Sequence, residues 1–223
     1  MINDTPLTRD FWRNGFSEDC PIYDMHGHMG AWKSIWFPRP DAEDMVYSMD
    51  RANVRLLCFA HHAALFAPDL GNAPAIEAVR RFPERLRAYL AVNPHYPDAL
   101  RRDLADFDRH RDVFVGLKVL AGYHNVAMTA PAYEAAFAFA HERRLLVLMH
   151  TWGGNALCGP EIVRRLAARY PEARLLCGHS FHGAWDEAIA LAREFPNLSL
   201  ELTAVLDNDR GAIEKLVSAG LSE

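Results

Sequence analysis

Val54-Arg55-Leu56-Leu57-Cys58-Phe59-Ala60, followed at once by His61-His62, decides the fold. The run is apolar at almost every position rather than at alternate ones. A strand with one wet face alternates, whereas a strand covered on both faces does not, and doubly covered strands belong to parallel sheets packed under helices. The flanks agree. Residues 41–52 read as a helix, with Asp41 as N-cap and Glu43 and Asp44 in its first turn, and residues 72–82 read as another.

The same beat runs in both directions. A first strand opens at 20–24 and leads into Asp24-Met25-His26-Gly27-His28, then a long aromatic loop, 29–40. Further strands are expected at 86–92, 113–121, 145–149, 173–177 and 197–202. Helices are expected at 97–110, 131–144, 159–170, 184–195 and 209–219, and Pro131 suits a first helical turn. Seven β-then-α units in strict alternation mean parallel strands joined by right-handed crossovers. A doubly wound sheet and a (β/α)8 TIM barrel both satisfy this pattern. No GxGxxG opens the first helix, so the dinucleotide-binding open sheet loses support. With 223 residues, half of them hydrophobic, and no linker or low-complexity tract, residues 1–223 read as one domain.

Composition narrows the function. A net charge of -5 and a pI near 6.1, with no Lys/Arg cluster, leave no basic field for nucleic acid. No apolar run approaches the roughly 20 residues a membrane helix needs. Residues 1–19 are polar and lack the apolar core of a signal peptide. The four cysteines have no CxxC spacing and read as reduced thiols. Cytoplasm is the expected location and a small molecule the expected partner.

The histidines then point to chemistry. Nine of eleven fall at or just past the carboxyl ends of expected strands: His26, His28, His61, His62, His95, His124, His150, His179 and His182. That face is where barrel enzymes place their reactions. His26 and His28 share one face of an alternating strand, with Asp24 placed to orient a ring and Gly27 to let the backbone bend, and such a pair can grip a divalent ion. His150 and His179 terminate the apolar runs LLVLMH and ARLLCGH. Lys118, inside GLKVL, is a charge on a strand that should be buried; a contact to a substrate anion is favoured over a carbamylated lysine bridging two metals. Trp32, Trp36 and Trp152 lie in loops above the same face and are expected, with His61, to wall a substrate pocket. Glu201, in SLELT, reads as either salt-bridging or mouth-lining.

Asp24-x-His26-x-His28 on strand one, His150 ending strand five and His179 ending strand six resemble the amidohydrolase superfamily, in particular the branch that includes the aminocarboxymuconate-semialdehyde decarboxylase group. GLKVL, LLVLMHTWGG, LLCGHSFHG and NLSLELT extend the resemblance over nearly the whole chain. The resemblance implies a (β/α)8 barrel and a divalent metal, usually Zn²⁺. It implies His26, His28 and His150 as ligands and His179 as a ligand or a catalytic residue beside the metal. A homodimer follows only by analogy with the relatives. The family's eighth strand bears an aspartate that contacts the metal and moves the proton. This chain ends at Gly220-Leu221-Ser222-Glu223, where that strand is due, and is expected to be a C-terminally truncated form. Asp207 and Asp209 are poor substitutes by position.

The leading expectation is a metal-dependent hydrolase in which the ion acidifies a water that attacks an amide, ester or lactone carbonyl. His179 would steady the oxyanion or move a proton, with Lys118 and Asp24 assisting. A non-hydrolytic decarboxylase of an unsaturated or aromatic acid on the same site is the alternative. A metal- or ligand-binding protein without turnover is a third reading.

Overall fold

Strands rich in Val, Leu and Phe alternate with helices from one end of the chain to the other in the computed structural model, which describes residues 4–32, 35–204 and 211–221. The strands are β1 (Ile22–Met29), β2 (Val54–His61), β3 (Leu86–Val92), β4 (Phe114–Val119), β5 (Leu146–His150), β6 (Arg174–Gly178) and β7 (Leu198–Glu201). All neighbouring pairs are parallel, and the spatial order follows the sequence order from β1 to β7. The sheet curls until its ends approach, because a His26 ring on β1 bonds a Glu201 carboxylate on β7 at 2.7 Å. This is a (β/α) barrel with seven strands among the described residues, and no hydrogen-bonded pairing joins β1 to β7.

Two apolar clusters show how the strands are covered. Leu57, Phe59, Leu90, Val147, Met149 and Leu175 pack outward against helix residues such as Met45, Val79, Phe137, Val163 and Leu191. The alternate residues Cys58, Ala60, Tyr89, Ala91, Leu148 and Leu176 form a separate cluster that fills the inside. Both faces of the central strands are therefore largely dry, which is why VRLLCFA carries no polar alternation. Each fully buried side chain of Phe or Leu size contributes about 1.5–3 kcal/mol over its exposed state.

The helices are α1 (Pro6–Asn14), α2 (Ala42–Arg51), α3 (His62–Phe66), α4 (Pro68–Arg81), α5 (Pro97–Ala105), α6 (Ala121–His124), α7 (Pro131–Arg143), α8 (Pro160–Arg169), α9 (Trp185–Glu194) and α10 (Ala212–Ser218). Five begin with proline, whose fixed φ and missing N–H suit a first turn. The helix expected at 72–82 begins earlier, at Pro68, for this reason. The expected helix over 97–110 breaks after Ala105 into a 3₁₀ turn at Phe107–His110. α1 lies in the polar stretch 1–19, for which no element was expected; Thr5 caps it and Gly15 closes it, and none of its residues is buried. No helix among the described residues is long and apolar enough to cross a membrane. The four cysteines are free thiols.

Candidate metal centre

β1 presents the first two rings, but not by simple alternation. Its pairing with β2 slips between Asp24 and Gly27. The slip turns both Met25 and His26 inward: Met25 packs on the inner cluster, and His26 meets Lys118 and Glu201. The expectation that Asp24, His26 and His28 share a face against Met25 therefore fails at Met25. Asp24 does not orient a ring either; its Oδ1 accepts the His26 backbone N–H at 2.9 Å and so pins the slip. Gly27 is not in the left-handed region. Its value is space, since a Cβ there would lie 2.6 Å from a Leu57 methyl.

His26 is the hub. Its Nδ1–H donates to Glu201 Oε2 at 2.7 Å, and its Nε2 accepts from Lys118 Nζ at 2.9 Å. Glu201, at the end of β7, is held in turn by the Thr203 amide and hydroxyl. Burial opposes its charge, but the bond to His26 and those to Thr203 prevail and draw its pKa down to about 2. Lys118 is fully buried, as a strand-interior lysine must be if it points inward, and burial brings it down to about 7.

His150 and His179 form a pair on the other side of the mouth. His179 Nδ1–H donates to the Thr203 carbonyl at 2.7 Å, so its Nε2 accepts from His150 Nδ1–H at 3.1 Å. The turn that presents His179 is strained: His179, Ser180 and Phe181 have φ of 68°, 45° and 57° in succession. Three non-glycine residues in the left-handed region cost on the order of 1–3 kcal/mol each. Burial of Phe181, and the bonds of Ser180 Oγ to the Glu201 carbonyl and of the Phe181 amide to Thr151 Oγ1, hold the turn in place.

The rings converge. Centroids lie 5.4 Å apart for His26 and His28, 5.1 Å for His26 and His179, and 4.6 Å for His150 and His179. Ligand-type atoms of His26, His179 and Glu201 lie within 4.8 Å of one another. Burial, reinforced by the Lys118 charge, holds His26 near 4 and keeps His28 well below the usual imidazole range. Burial and His179 take His150 to about 3. The rings are thus neutral at pH 7, the state in which imidazole ligates a cation. His28 Nδ1 is buried without a hydrogen-bond partner among the described residues. A cluster of neutral donors with one orphaned nitrogen and a nearby carboxylate fits a divalent cation.

The other expected residues divide. Trp152 stacks between His150 and His182, at 6.0 and 4.3 Å. Trp32 lies 4.8 Å from His62 and 5.1 Å from Phe66, and Tyr123 stands edge-on to His150. Trp36 is 87% exposed. His61 caps α3 by accepting the Ala63 N–H at Nδ1. His95 and His124 are ties: His124 joins Tyr133 to the Leu65 carbonyl, and His95 bonds the His124 carbonyl. His62 was not expected at the centre, yet its ring stacks on His28 at 4.6 Å and 9°. Its position directly after a strand was the only signal. Asp207 and Asp209 lie outside the described residues.

No family model and no curated protein matches the sequence. Solved structures do match. One is an uncharacterized TIM-barrel protein from Bordetella bronchiseptica, 16% identical, TM-score 0.65, over 79% of this chain and 64% of that one. The chain thus spans just under two thirds of that protein's length. A probable 2-pyrone-4,6-dicarboxylic acid hydrolase from Acinetobacter baumannii, with citric acid bound, is 11% identical, TM-score 0.62, over 89% and 79%. A 5-carboxyvanillate decarboxylase from Novosphingobium aromaticivorans, complexed with manganese and a nitrobenzoic acid, is 13% identical, TM-score 0.59, over 81% and 68%. Others carry the name amidohydrolase. The chain shares its TIM-barrel fold with these structures. Within that barrel the imidazole cluster sits at the carboxyl ends of the strands, the face that carries the sites of such barrels.

Proposed function

We propose that the chain is a metal-dependent enzyme of the amidohydrolase superfamily that hydrolyses an amide, ester or lactone in a small organic molecule. One observation carries this reading: neutral imidazoles of β1 and of the turn after β6 gather with the β7 carboxylate, ligand atoms of His26, His179 and Glu201 within 4.8 Å of one another, with His28 beside His26 and His150 beside His179. His26, His28 and His150 would hold one divalent cation, with Zn²⁺ the first candidate; such an ion polarises a carbonyl and acidifies water. Glu201 keeps the His26 ring oriented through Nδ1. His179, neutral and fixed by Thr203, is placed to receive or return a proton at Nε2 through its partner His150. Trp32, Phe66, Tyr123 and Trp152 present ring faces and edges that exclude water from an apolar substrate body.

The same aromatic wall favours a second reading, decarboxylation of a planar unsaturated or aromatic acid, with the Lys118 ammonium steadying the anion. Product analysis separates the two: a panel of lactones, amides and aromatic acids is scored for proton release against CO₂ release. Elemental analysis of the purified chain tests what both share. His26→Ala and His150→Ala are each expected to lose bound metal. Full metal content in both would end the proposal, and metal binding with no turnover on any substrate would leave a binding protein.

A further inference from the structure

Lys118 sits where a cation on His26 would sit. The His26 ring has two nitrogens, and both are engaged. Nδ1–H is committed to Glu201 at 2.7 Å, so Nε2 carries the one lone pair, and Lys118 Nζ stands 2.9 Å from it. A zinc–nitrogen bond is about 2.0–2.1 Å, so an ion in line with that lone pair would lie within roughly 1 Å of Nζ. The two cannot coexist there. The lysine is also held in place. It lies on β4, in register with Ala91 of β3 and Leu148 of β5, which belong to the inner cluster. Among the described residues no carboxylate makes an ion pair with it, so its partner in the barrel is the ring. Its charge reaches His26, His28, His62, His150 and His179, all of which it disfavours as cations.

Building on the metal-dependent reading, we propose that Lys118 is a resident cation of the site, an internal competitor that holds His26 Nε2 until a divalent ion displaces it. Entry of the ion breaks the Nζ–Nε2 hydrogen bond and swings the amine off the ring. The displaced amine stays at the barrel mouth, one side chain away from the ion. The competition makes the unaltered chain a weaker metal binder than its donor set alone would give. Lys118 thereby sets metal affinity without being a ligand.

The test compares metal-depleted full-length chain with Lys118→Met and Lys118→Gln, each verified as folded by far-UV circular dichroism and thermal melting. Affinity for Mn²⁺ and for Zn²⁺ is read by competition with a chromophoric chelator. Either folded variant is expected to bind at least tenfold more tightly than the unaltered chain. Equal or weaker binding by the folded variants overturns the inference and leaves the metal site standing. Failure of every form, variants included, to bind either ion overturns the metal-dependent reading and the inference with it. A crystal structure of the unaltered chain loaded with Mn²⁺ gives a second check that needs no substitution. Nζ should have left hydrogen-bond distance of His26 Nε2; an Nζ still in place would refute the competition.

Discussion

Glu201 and the buried imidazoles govern how this site responds to substitution and to acid. Glu201 holds His26 by a single charge-assisted bond, and carboxylates in that position typically account for 10–100-fold in metal affinity. Glu201→Gln should lower affinity for Mn²⁺ by that order in a chelator competition while the chain stays folded. The pH response of the metal-free chain follows from the shifts. His26 falls from 6.5 to about 4 and His150 from 6.5 to about 3, so the unfolded chain takes up protons that the folded chain refuses. Stability is intact above pH 6.5 and declines as the pH falls toward 4 and then 3. Glu201, drawn down to about 2 from 4.5, adds stability above pH 4.5 that is lost as the pH falls toward 2. All three act in one direction. Urea melts at pH 7.5 and 4.5 should differ by on the order of 2 kcal/mol for each histidine, and a flat profile would contradict the buried, neutral rings.

At the level of elements, the barrel depends on close approach between neighbouring strands. Gly116 on β4 is one such point, because a Cβ there would lie 2.2 Å from the Leu146 carbonyl oxygen on β5. That neighbour is backbone and cannot move without shifting a strand. Gly116→Ala should therefore cost about 1–3 kcal/mol, read as a lowered thermal midpoint. The outer layer offers a comparison that leaves the mouth alone. Phe137 on α7 is buried in the outer cluster, and Phe137→Ala should cost about 3–5 kcal/mol with metal affinity per folded molecule unchanged.

For the whole molecule, a cation that binds only the folded chain stabilises it by mass action. At a hundred times its dissociation constant the gain is about 2.7 kcal/mol, and for a chain of this size each kcal/mol raises the midpoint by roughly 2–4 °C. Saturating Mn²⁺ or Zn²⁺ should therefore raise the midpoint by about 5–10 °C, and a chelator should reverse it. The open seam has its own consequence. Among the described residues β1 pairs only with β2, and Ile22 and Tyr23 on β1 are exposed. An uncovered strand edge invites pairing with other chains. Ile22→Lys with Tyr23→Lys should reduce association in light scattering, and the site, farther along the strand, should keep its metal.

The alternation of doubly covered strands and helices was written in the sequence, because burial of both strand faces leaves a hydropathy pattern that needs no partner to be read. LLVLMH and ARLLCGH placed His150 and His179 at strand ends for the same reason. The tertiary structure alone decided which groups meet. The slip in β1 that turns Met25 and His26 inward together depends on pairing with β2, and local alternation cannot foresee it. His61 and His62 are adjacent in the chain, yet one caps a helix and the other stacks on His28. The Lys118–His26–Glu201 chain spans β4, β1 and β7, and contact across a barrel is fixed by curvature, a property of the closed sheet that no single segment of sequence carries.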